Sequence, residues 1–250
     1  MELVGGRWFR LGISFMLRRL FASSKKTALA PRADQQRPKP TLAEQVSEFT
    51  LCRESKINSL IQLRDHVEGL GIPGDYVECG VYKGGTAAVL AQRMRADRRI
   101  WLYDSFEGMP PTSEKDGTEA PKWVGECVGT ENDVREILRR LRVAPERYVL
   151  RKGWFSDTFQ GELPEQIAFL HVDADWFDSV SLVLETFYDR VAEGGVIVMD
   201  DFGHWEGCRE AFYDFCARRG LRPLLERFEN DQAYWFKGKL HNREGWLKVR

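Results

Sequence analysis

The stretch that decides the fold reads Asp75-Tyr-Val-Glu-Cys-Gly-Val-Tyr-Lys-Gly-Gly-Thr86. A short apolar run over residues 76–79 predicts a buried strand, the glycine-rich segment 80–85 predicts a turn, and a helical pattern begins at Thr86. A strand, a glycine turn and a helix in this order commonly build a nucleotide site in α/β proteins. Gly80 and Gly84 lack a Cβ atom, so we expect the backbone to approach a ligand closely at both positions.

The spacing Glu78-x-Gly80-x-x-x-Gly84 does not fit two common nucleotide motifs. The dehydrogenase fingerprint requires G-x-G-x-x-G, and a phosphate-binding P-loop requires a Lys-Ser/Thr pair after its last glycine. An acidic residue two positions before the first glycine, with a second glycine four positions after it, resembles motif I of the class I S-adenosylmethionine-dependent methyltransferases.

The composition predicts one α/β domain with a basic N-terminal extension. The chain has 250 residues, of which 43% are hydrophobic and 12% aromatic, and this is enough for a full core. A net charge of -1 argues against a general nucleic-acid binder. Five scattered cysteines without a CxxC pair favour reduced thiols and a cytoplasmic protein over disulfides or a zinc site.

The charge is unevenly distributed, and it separates two predicted regions. Residues 1–40 carry nine Lys/Arg against two acidic residues. We interpret residues 1–43 as a basic amphipathic arm and linker, and residues 44–250 as the methyltransferase domain. The uncharged run Leu11–Leu17 is too short to span a bilayer, so the arm is expected to pack on its own protein or a subunit partner, with a membrane-surface helix as the alternative. The arm also suggests a homodimer or a higher oligomer.

Downstream of residue 44, the pattern predicts a helical segment that ends at Gly69 and Gly71, then five β-α units and a closing hairpin. The strands are expected at 76–79, 99–103, 147–151, 167–173 and 196–199, the hairpin strands at 222–228 and 233–236, and the later helices at 87–94, 132–141, 179–191 and 208–219. This order predicts a Rossmann-like α/β fold: a doubly wound, mostly parallel seven-stranded sheet with a C-terminal antiparallel hairpin.

Acidic residues follow four of the predicted strands at their carboxyl ends, where such sheets bind ligands. Asp104 lies about twenty residues beyond the glycine turn and suits the hydroxyls of an adenosine ribose; the alternative is a turn or N-cap aspartate. Asp173, Asp200 and Asp201 follow neighbouring strands and suit an oxygen-preferring ion such as Mg2+ better than zinc. Their alternative role is to cap helices and bind backbone N–H groups.

Several motifs occur in a fixed order along the chain: Val77-Glu-Cys-Gly-Val-Tyr-Lys-Gly-Gly85, Asp104-Ser-Phe-Glu-Gly-Met-Pro110, Gly153-Trp-Phe-Ser-Asp-Thr158, His171-Val-Asp-Ala-Asp175, Val198-Met-Asp-Asp-Phe202 and Gly207-Cys-Arg-Glu-Ala211. Together they resemble the macrocin O-methyltransferase (TylF/MycF-like) family over roughly residues 45–238. Members of this family are metal-dependent methyltransferases of antibiotic sugar hydroxyls. The segment Val172-Asp-Ala-Asp175 and the pair Asp200-Asp201 also resemble motifs of the catechol and caffeoyl-coenzyme A O-methyltransferases.

The resemblance implies a Mg2+-dependent O-methyltransferase that moves a methyl group from S-adenosylmethionine to a hydroxyl of a small molecule, a sugar or a glycosylated natural product. The implied cofactor-binding residues are Glu78, Gly80, Val81, Tyr82, Gly84, Gly85, Thr86, Asp104, Ser105, Phe155, Ser156, Asp157 and Asp173. The implied metal ligands are Asp173, Asp200 and Asp201. Two alternatives stay open: a binding or scaffold protein without turnover, and a metal-independent methyltransferase.

The general base departs from the family pattern. Some members use a histidine in the loop after Asp-Ser-Phe, but residues 105–170 of this chain contain none. Asp175, two residues beyond a proposed metal ligand, is the preferred candidate and His204 the second. His171 lies inside a predicted strand and is expected to be a core histidine.

The connection 105–131 is long for a compact domain. It either covers the substrate or is a disordered surface loop. In the first case Met109, Trp123 and Val124 would pack on an apolar acceptor, with Lys115 and Lys122 at the rim.

Overall fold

The computed structural model describes residues 39–239. The predicted amphipathic helix lies outside these residues, so the role of the arm, the oligomeric state and the cytoplasmic location stay predictions. Within residues 39–239, none of the helices combines the length and the apolar content that a bilayer crossing requires.

Seven strands form one sheet in the order β3-β2-β1-β4-β5-β7-β6. Their bounds are β1 Asp75–Cys79, β2 Ile100–Asp104, β3 Tyr148–Lys152, β4 Ile167–Val172, β5 Val191–Met199, β6 Glu226–Phe228 and β7 Gln232–Phe236. The five strands β1 to β5 pair in parallel, and β7 is antiparallel to both β5 and β6. The predicted doubly wound sheet and its closing hairpin are therefore confirmed.

Helices cover the sheet, and their bounds are α1 Leu42–Val46, α2 Glu54–Gly69, α3 Gly85–Ala91, α4 Glu131–Arg140, α5 Phe155–Thr158, α6 Phe177–Phe187 and α7 Glu206–Arg219. All residues of α3 are buried, because its small side chains allow close packing. Capping boxes at Thr41 and Thr130 begin α1 and α4, and Gly220 ends α7 in the left-handed conformation.

The structure differs from the predicted bounds most at β5 and at β6, which begins at Glu226 instead of residue 222. The helix α6 ends at Phe187, and β5 begins at Val191 instead of residue 196. Gly194 and Gly195, which indicated a break, lie inside β5 where its register with β4 shifts. Glycine in a strand often marks such an irregularity, since it accepts positive φ; Gly194 has φ 78.

The topology places the site at one edge. Strand order reverses direction between β1 and β4, and this is where open α/β sheets bind ligands. The last residues of β1 and β4, Cys79 and Val172, are paired, and Val172 also pairs with Met199 of β5. The segments that follow β1, β4 and β5 therefore begin side by side.

Candidate active site

A cavity of about 470 Å³ opens at the carboxyl edge of the sheet. Its wall is formed by the glycine turn, by the segments after β2, β3, β4 and β5, and by the chain before and at the start of α2. The predicted site residues that line it are Gly80, Val81, Tyr82, Thr86, Asp104, Ser105, Phe155, Ser156, Asp173, Asp175, Asp200 and Asp201. The predicted residues that are not among its lining are Glu78, Gly84, Gly85, Asp157 and His204.

Glu78 lies behind the cavity wall. Its side chain is fully buried, and Oε1 is 2.8 Å from Nδ1 of His171. Oε2 of Glu78 has no hydrogen-bond partner among the described residues. The structure therefore places Glu78 in a buried polar chain with His171, and its part in cofactor binding stays a prediction.

The glycine turn is required by packing within the protein. Gly80 has φ 88, and a Cβ atom there would overlap the backbone oxygen of Asp173. Gly84 has φ 86, and its Cβ would lie 3.0 Å from Cα of Val134 in α4. Contact with another segment of the protein therefore requires glycine at both positions, and the close approach of a ligand to this backbone stays a prediction.

Asp104 holds the glycine turn in place. Its Oδ2 accepts hydrogen bonds from the backbone N–H groups of Val81 at 2.7 Å and Tyr82 at 2.9 Å. Its Oδ1 accepts from the N–H of Phe106 at 2.6 Å. A carboxylate offers about four acceptor positions, and the backbone occupies three of them.

Three carboxylates converge on the opposite wall. Asp173, Asp175 and Asp201 each offer an oxygen within 4.8 Å of the others. Burial raises the pKa of Asp173 and Asp175 well above the usual range, and neighbouring aspartates raise both pKa values further. Burial, followed by the charge of Asp200, also raises the pKa of Asp201. Carboxylates this close together repel one another, so the donor set fits a hard divalent cation such as Mg2+.

Asp200 is held differently from the other predicted ligands. Oδ2 accepts from Nζ of Lys56 at 2.6 Å, and Oδ1 accepts from Nε2 of Gln232 at 2.7 Å. Burial would raise the pKa of Asp200, but His171 and Lys56 outweigh it and lower that pKa. Asp173 and Asp200 also form a second group with Cys52, whose thiol is a poor ligand for Mg2+.

His171 is buried as predicted, yet it does more than fill the core. Its ring lies between Glu78 and Asp200, with Nε2 at 3.4 Å from Oδ1 of Asp200. Burial would lower the pKa of His171, but hydrogen bonds to Asp200 and Glu78 raise it to about 9. A protonated His171 donates from both nitrogens and helps to fix Asp200.

The two candidate bases differ in placement. Asp175 lines the cavity, and its Oδ1 accepts a hydrogen bond from Nε1 of Trp205 at 3.0 Å. Its backbone has φ 53, a costly conformation for a residue with a side chain. His204 is exposed, and its ring packs edge-on against Trp205 at 4.5 Å. Only Asp175 therefore faces the space where an acceptor would bind.

Sequence reasoning missed Lys56 and Cys52, which line the cavity from the start of α2 and the residues before it. Lys56 is buried beside Ile57 on the face of α2 that also buries Leu60 and Leu63. The sequence did contain a signal for Lys56: the helical period places this lysine on the buried face of α2. Because lysine is almost never buried without a partner, its position indicates a buried acidic partner.

The connection 105–131 packs against α6 and α7. Trp176 donates from Nε1 to the backbone oxygen of Pro110 at 3.0 Å, and buried Asp116 accepts from the N–H of Phe177 at 2.6 Å. Met109 lines the cavity. Trp123 is 45% exposed, and Lys115 pairs with Asp214 and Glu210.

Comparison with known proteins agrees with this geometry. A family model described as Macrocin-O-methyltransferase (TylF) matches residues 13–237. The 8-demethyl-8-(2,3-dimethoxy-alpha-L-rhamnosyl)-tetracenomycin-C 4'-O-methyltransferase of Streptomyces olivaceus is 31% identical over 174 residues, and the match covers 66% of each chain. The demethyldecarbamoylnovobiocin O-methyltransferase of Streptomyces niveus is 28% identical over 196 residues, 74% of each chain.

Solved structures share the architecture. The O-methyltransferase NovP superposes with a TM-score of 0.67 at 27% identity, covering 76% of this chain and 83% of NovP. The calicheamicin methyltransferase CalS11 gives a TM-score of 0.64 at 20% identity, covering 82% of this chain and 88% of CalS11, which shows the fold alone. The resemblance seen in the sequence motifs is confirmed, and the chain belongs to the macrocin O-methyltransferase (TylF) family of O-methyltransferases.

Proposed function

We propose that the protein is a Mg2+-dependent enzyme that transfers the methyl group of S-adenosylmethionine to a hydroxyl of a small molecule. The proposed acceptor is a sugar or a glycosylated natural product. The observation that carries this proposal is the convergence of Asp173, Asp175 and Asp201 in the same cavity as the glycine turn. The family match supports the methyl donor.

The methyl donor would lie along the glycine turn. Gly80, Val81 and Tyr82 form this part of the wall. Asp104 keeps one acceptor position after its three backbone hydrogen bonds, so it would accept one ribose hydroxyl and not both. Phe155 and Ser156 would border the adenine.

Asp173 and Asp201 would hold the metal ion, and Asp200 would join them by releasing the ammonium of Lys56. When bound, Mg2+ supplies Lewis-acid stabilisation that lowers the pKa of the acceptor hydroxyl. The cluster and the glycine turn then align acceptor and donor, and this positioning supplies much of the rate because the sulfonium is already activated.

Asp175 would take the proton. Its Oδ1 is held by the indole of Trp205, which leaves Oδ2 to accept the proton from the acceptor hydroxyl. The acceptor oxygen forms a bond to the methyl carbon, and the electron pair of the breaking carbon–sulfur bond returns to sulfur. Asp175 lines the same cavity as the glycine turn, so it lies where the acceptor hydroxyl would bind.

The rim of the cavity supports an acceptor with an apolar part. Leu51 and Leu182 line the mouth and are 69% and 36% exposed. Trp123, also exposed, packs near Trp205 at a ring distance of 6.3 Å, close to Asp175. The names of two relatives refer to a rhamnosyl-tetracenomycin and to demethyldecarbamoylnovobiocin, which supports an acceptor of this class.

Calorimetry with S-adenosylhomocysteine, with and without Mg2+, tests the proposal when it is combined with a labelled-methyl assay on a panel of glycosides. We expect cofactor binding, and methyl transfer that EDTA abolishes and Mg2+ restores. Transfer that is unaffected by EDTA would establish a metal-independent enzyme. Cofactor binding without transfer to any acceptor would favour a scaffold protein.

A further inference from the structure

Lys56 is the cationic side chain in the cavity lining formed by the described residues. It lies in the first turn of α2 and is 8% exposed. Its Nζ donates to Oδ2 of Asp200 at 2.6 Å and to the backbone oxygen of the same residue at 3.2 Å. The ammonium therefore lies buried at the edge of the carboxylate cluster.

The ammonium also faces the rest of the cluster. Nζ lies 4.0 Å from Oδ1 of Asp201, and Asp173 shares a group of neighbouring ligand atoms with Asp200. One permanent positive charge thus stands among several buried carboxylates, where solvent and salt screen it poorly.

We propose that Lys56 is a tethered counter-cation, which holds the carboxylate cluster together before a divalent ion arrives and weakens the binding of that ion. The inference rests on the proposed magnesium site. Two effects act in the same direction. The ammonium occupies an oxygen of Asp200 that a metal would use, and its charge repels a second cation held a few ångströms away.

An ordinary structural ion pair makes the opposite prediction. If Lys56 only kept Asp200 in place, removing it would disorder a ligand and weaken metal binding, and arginine would restore binding in part. A counter-cation predicts tighter binding when its charge is removed. It also predicts weaker binding with arginine, because a guanidinium can engage Asp200 and Asp201 together.

The test measures Mn2+ binding to the full chain saturated with S-adenosylhomocysteine, by calorimetry and by the electron paramagnetic resonance signal of free Mn2+. We expect Lys56→Gln to bind Mn2+ roughly tenfold more tightly than the wild type and Lys56→Arg to bind it more weakly. Arg53→Gln is the matched control. It removes a cation three residues earlier, but Arg53 pairs with Asp231 and Glu229 outside the cluster, so Mn2+ affinity should not change.

Weaker or unchanged Mn2+ binding by Lys56→Gln would overturn the proposal, and so would binding by Lys56→Arg that equals or exceeds the wild type. If Lys56→Gln does not fold, Lys56→Met takes its place, because it keeps a side chain of similar length without the charge: tighter Mn2+ binding than the wild type is expected, and weaker or unchanged binding would overturn the proposal. Wild-type protein that binds S-adenosylhomocysteine but no Mn2+ would overturn this inference and the magnesium site together. Failure to bind S-adenosylhomocysteine would instead refute the proposed function.

Discussion

The two walls of the cavity hold carboxylates in contrasting ways. On the glycine-turn side, both carboxylate oxygens of Asp104 accept hydrogen bonds from backbone N–H groups. On the opposite side, Asp173, Asp175 and Asp201 crowd together, and within residues 39–239 the indole of Trp205 is the one neutral side-chain donor that reaches them. A carboxylate that accepts hydrogen bonds from the backbone needs no cation beside it, whereas a crowded group of carboxylates gains stability from one.

The largest effect is expected where the two walls touch. Gly80→Ala would drive a methyl group into the backbone of Asp173, so we expect a loss of more than about 4 kcal/mol or no folded protein. Gly125→Ala is the control: Gly125 has φ 83, but the added methyl would meet no atom within 4 Å, and it should lose only about 1–2 kcal/mol. Urea unfolding compares the two; equal losses would show that backbone strain, and not the contact, fixes Gly80.

The second prediction concerns only the wall formed by Asp173, Asp175 and Asp201. Asp173→Asn should lower kcat/KM roughly 10³-fold, because it removes a metal-facing charge, while S-adenosylhomocysteine affinity stays near the wild-type value. Asp178→Asn makes the same change at the cavity mouth, outside the cluster, and should cost far less. Full activity of Asp173→Asn in a labelled-methyl assay would remove Asp173 from the metal site.

The third prediction separates the two candidate bases. Asp175→Asn should reduce kcat about 10²-fold, since the amide cannot take a proton. His204→Gln should behave like the wild type, because His204 is exposed and outside the cavity lining. Single-turnover rates measure the chemical step directly. A larger loss in His204→Gln than in Asp175→Asn would reverse the assignment.

The smallest effect is expected for Asp104, whose oxygens already accept hydrogen bonds from the backbone. In Asp104→Asn, the N–H groups of Val81 and Tyr82 donate to an uncharged and therefore weaker acceptor. We expect a loss of about 2 kcal/mol in the free energy of unfolding and a reduced affinity for S-adenosylhomocysteine. Mn2+ affinity should not change. Thermal unfolding and calorimetry check both effects, and a loss of Mn2+ binding in this variant would show that the two walls are coupled.

Most of the fold could be predicted from local pattern. Apolar runs ending in glycine or aspartate located β1 to β4 to within a residue or so, because strands buried on both faces carry an unbroken apolar signal. The start of β5 was placed five residues late, since Gly194 and Gly195 imitate a break when their pairing with β4 is unknown.

The site was predictable only in part. Strand order brought Asp173 and Asp201 together as expected. The partners of Asp200 could not be foreseen, because Lys56 and Gln232 come from elements far away along the chain. The placement of Glu78 behind the wall depends on His171 of the neighbouring strand, a side-chain contact that no sequence spacing reveals.

The indole of Trp205 has a use that follows from its position. It donates to Asp175, packs edge-on against Trp176 at 4.9 Å and lies near exposed Trp123. Indole emission responds to nearby charge and to water, so events in the cavity will alter the intrinsic fluorescence of this cluster. The enzyme thereby carries its own optical reporter, and ligand arrival can be followed by stopped-flow without attaching a dye.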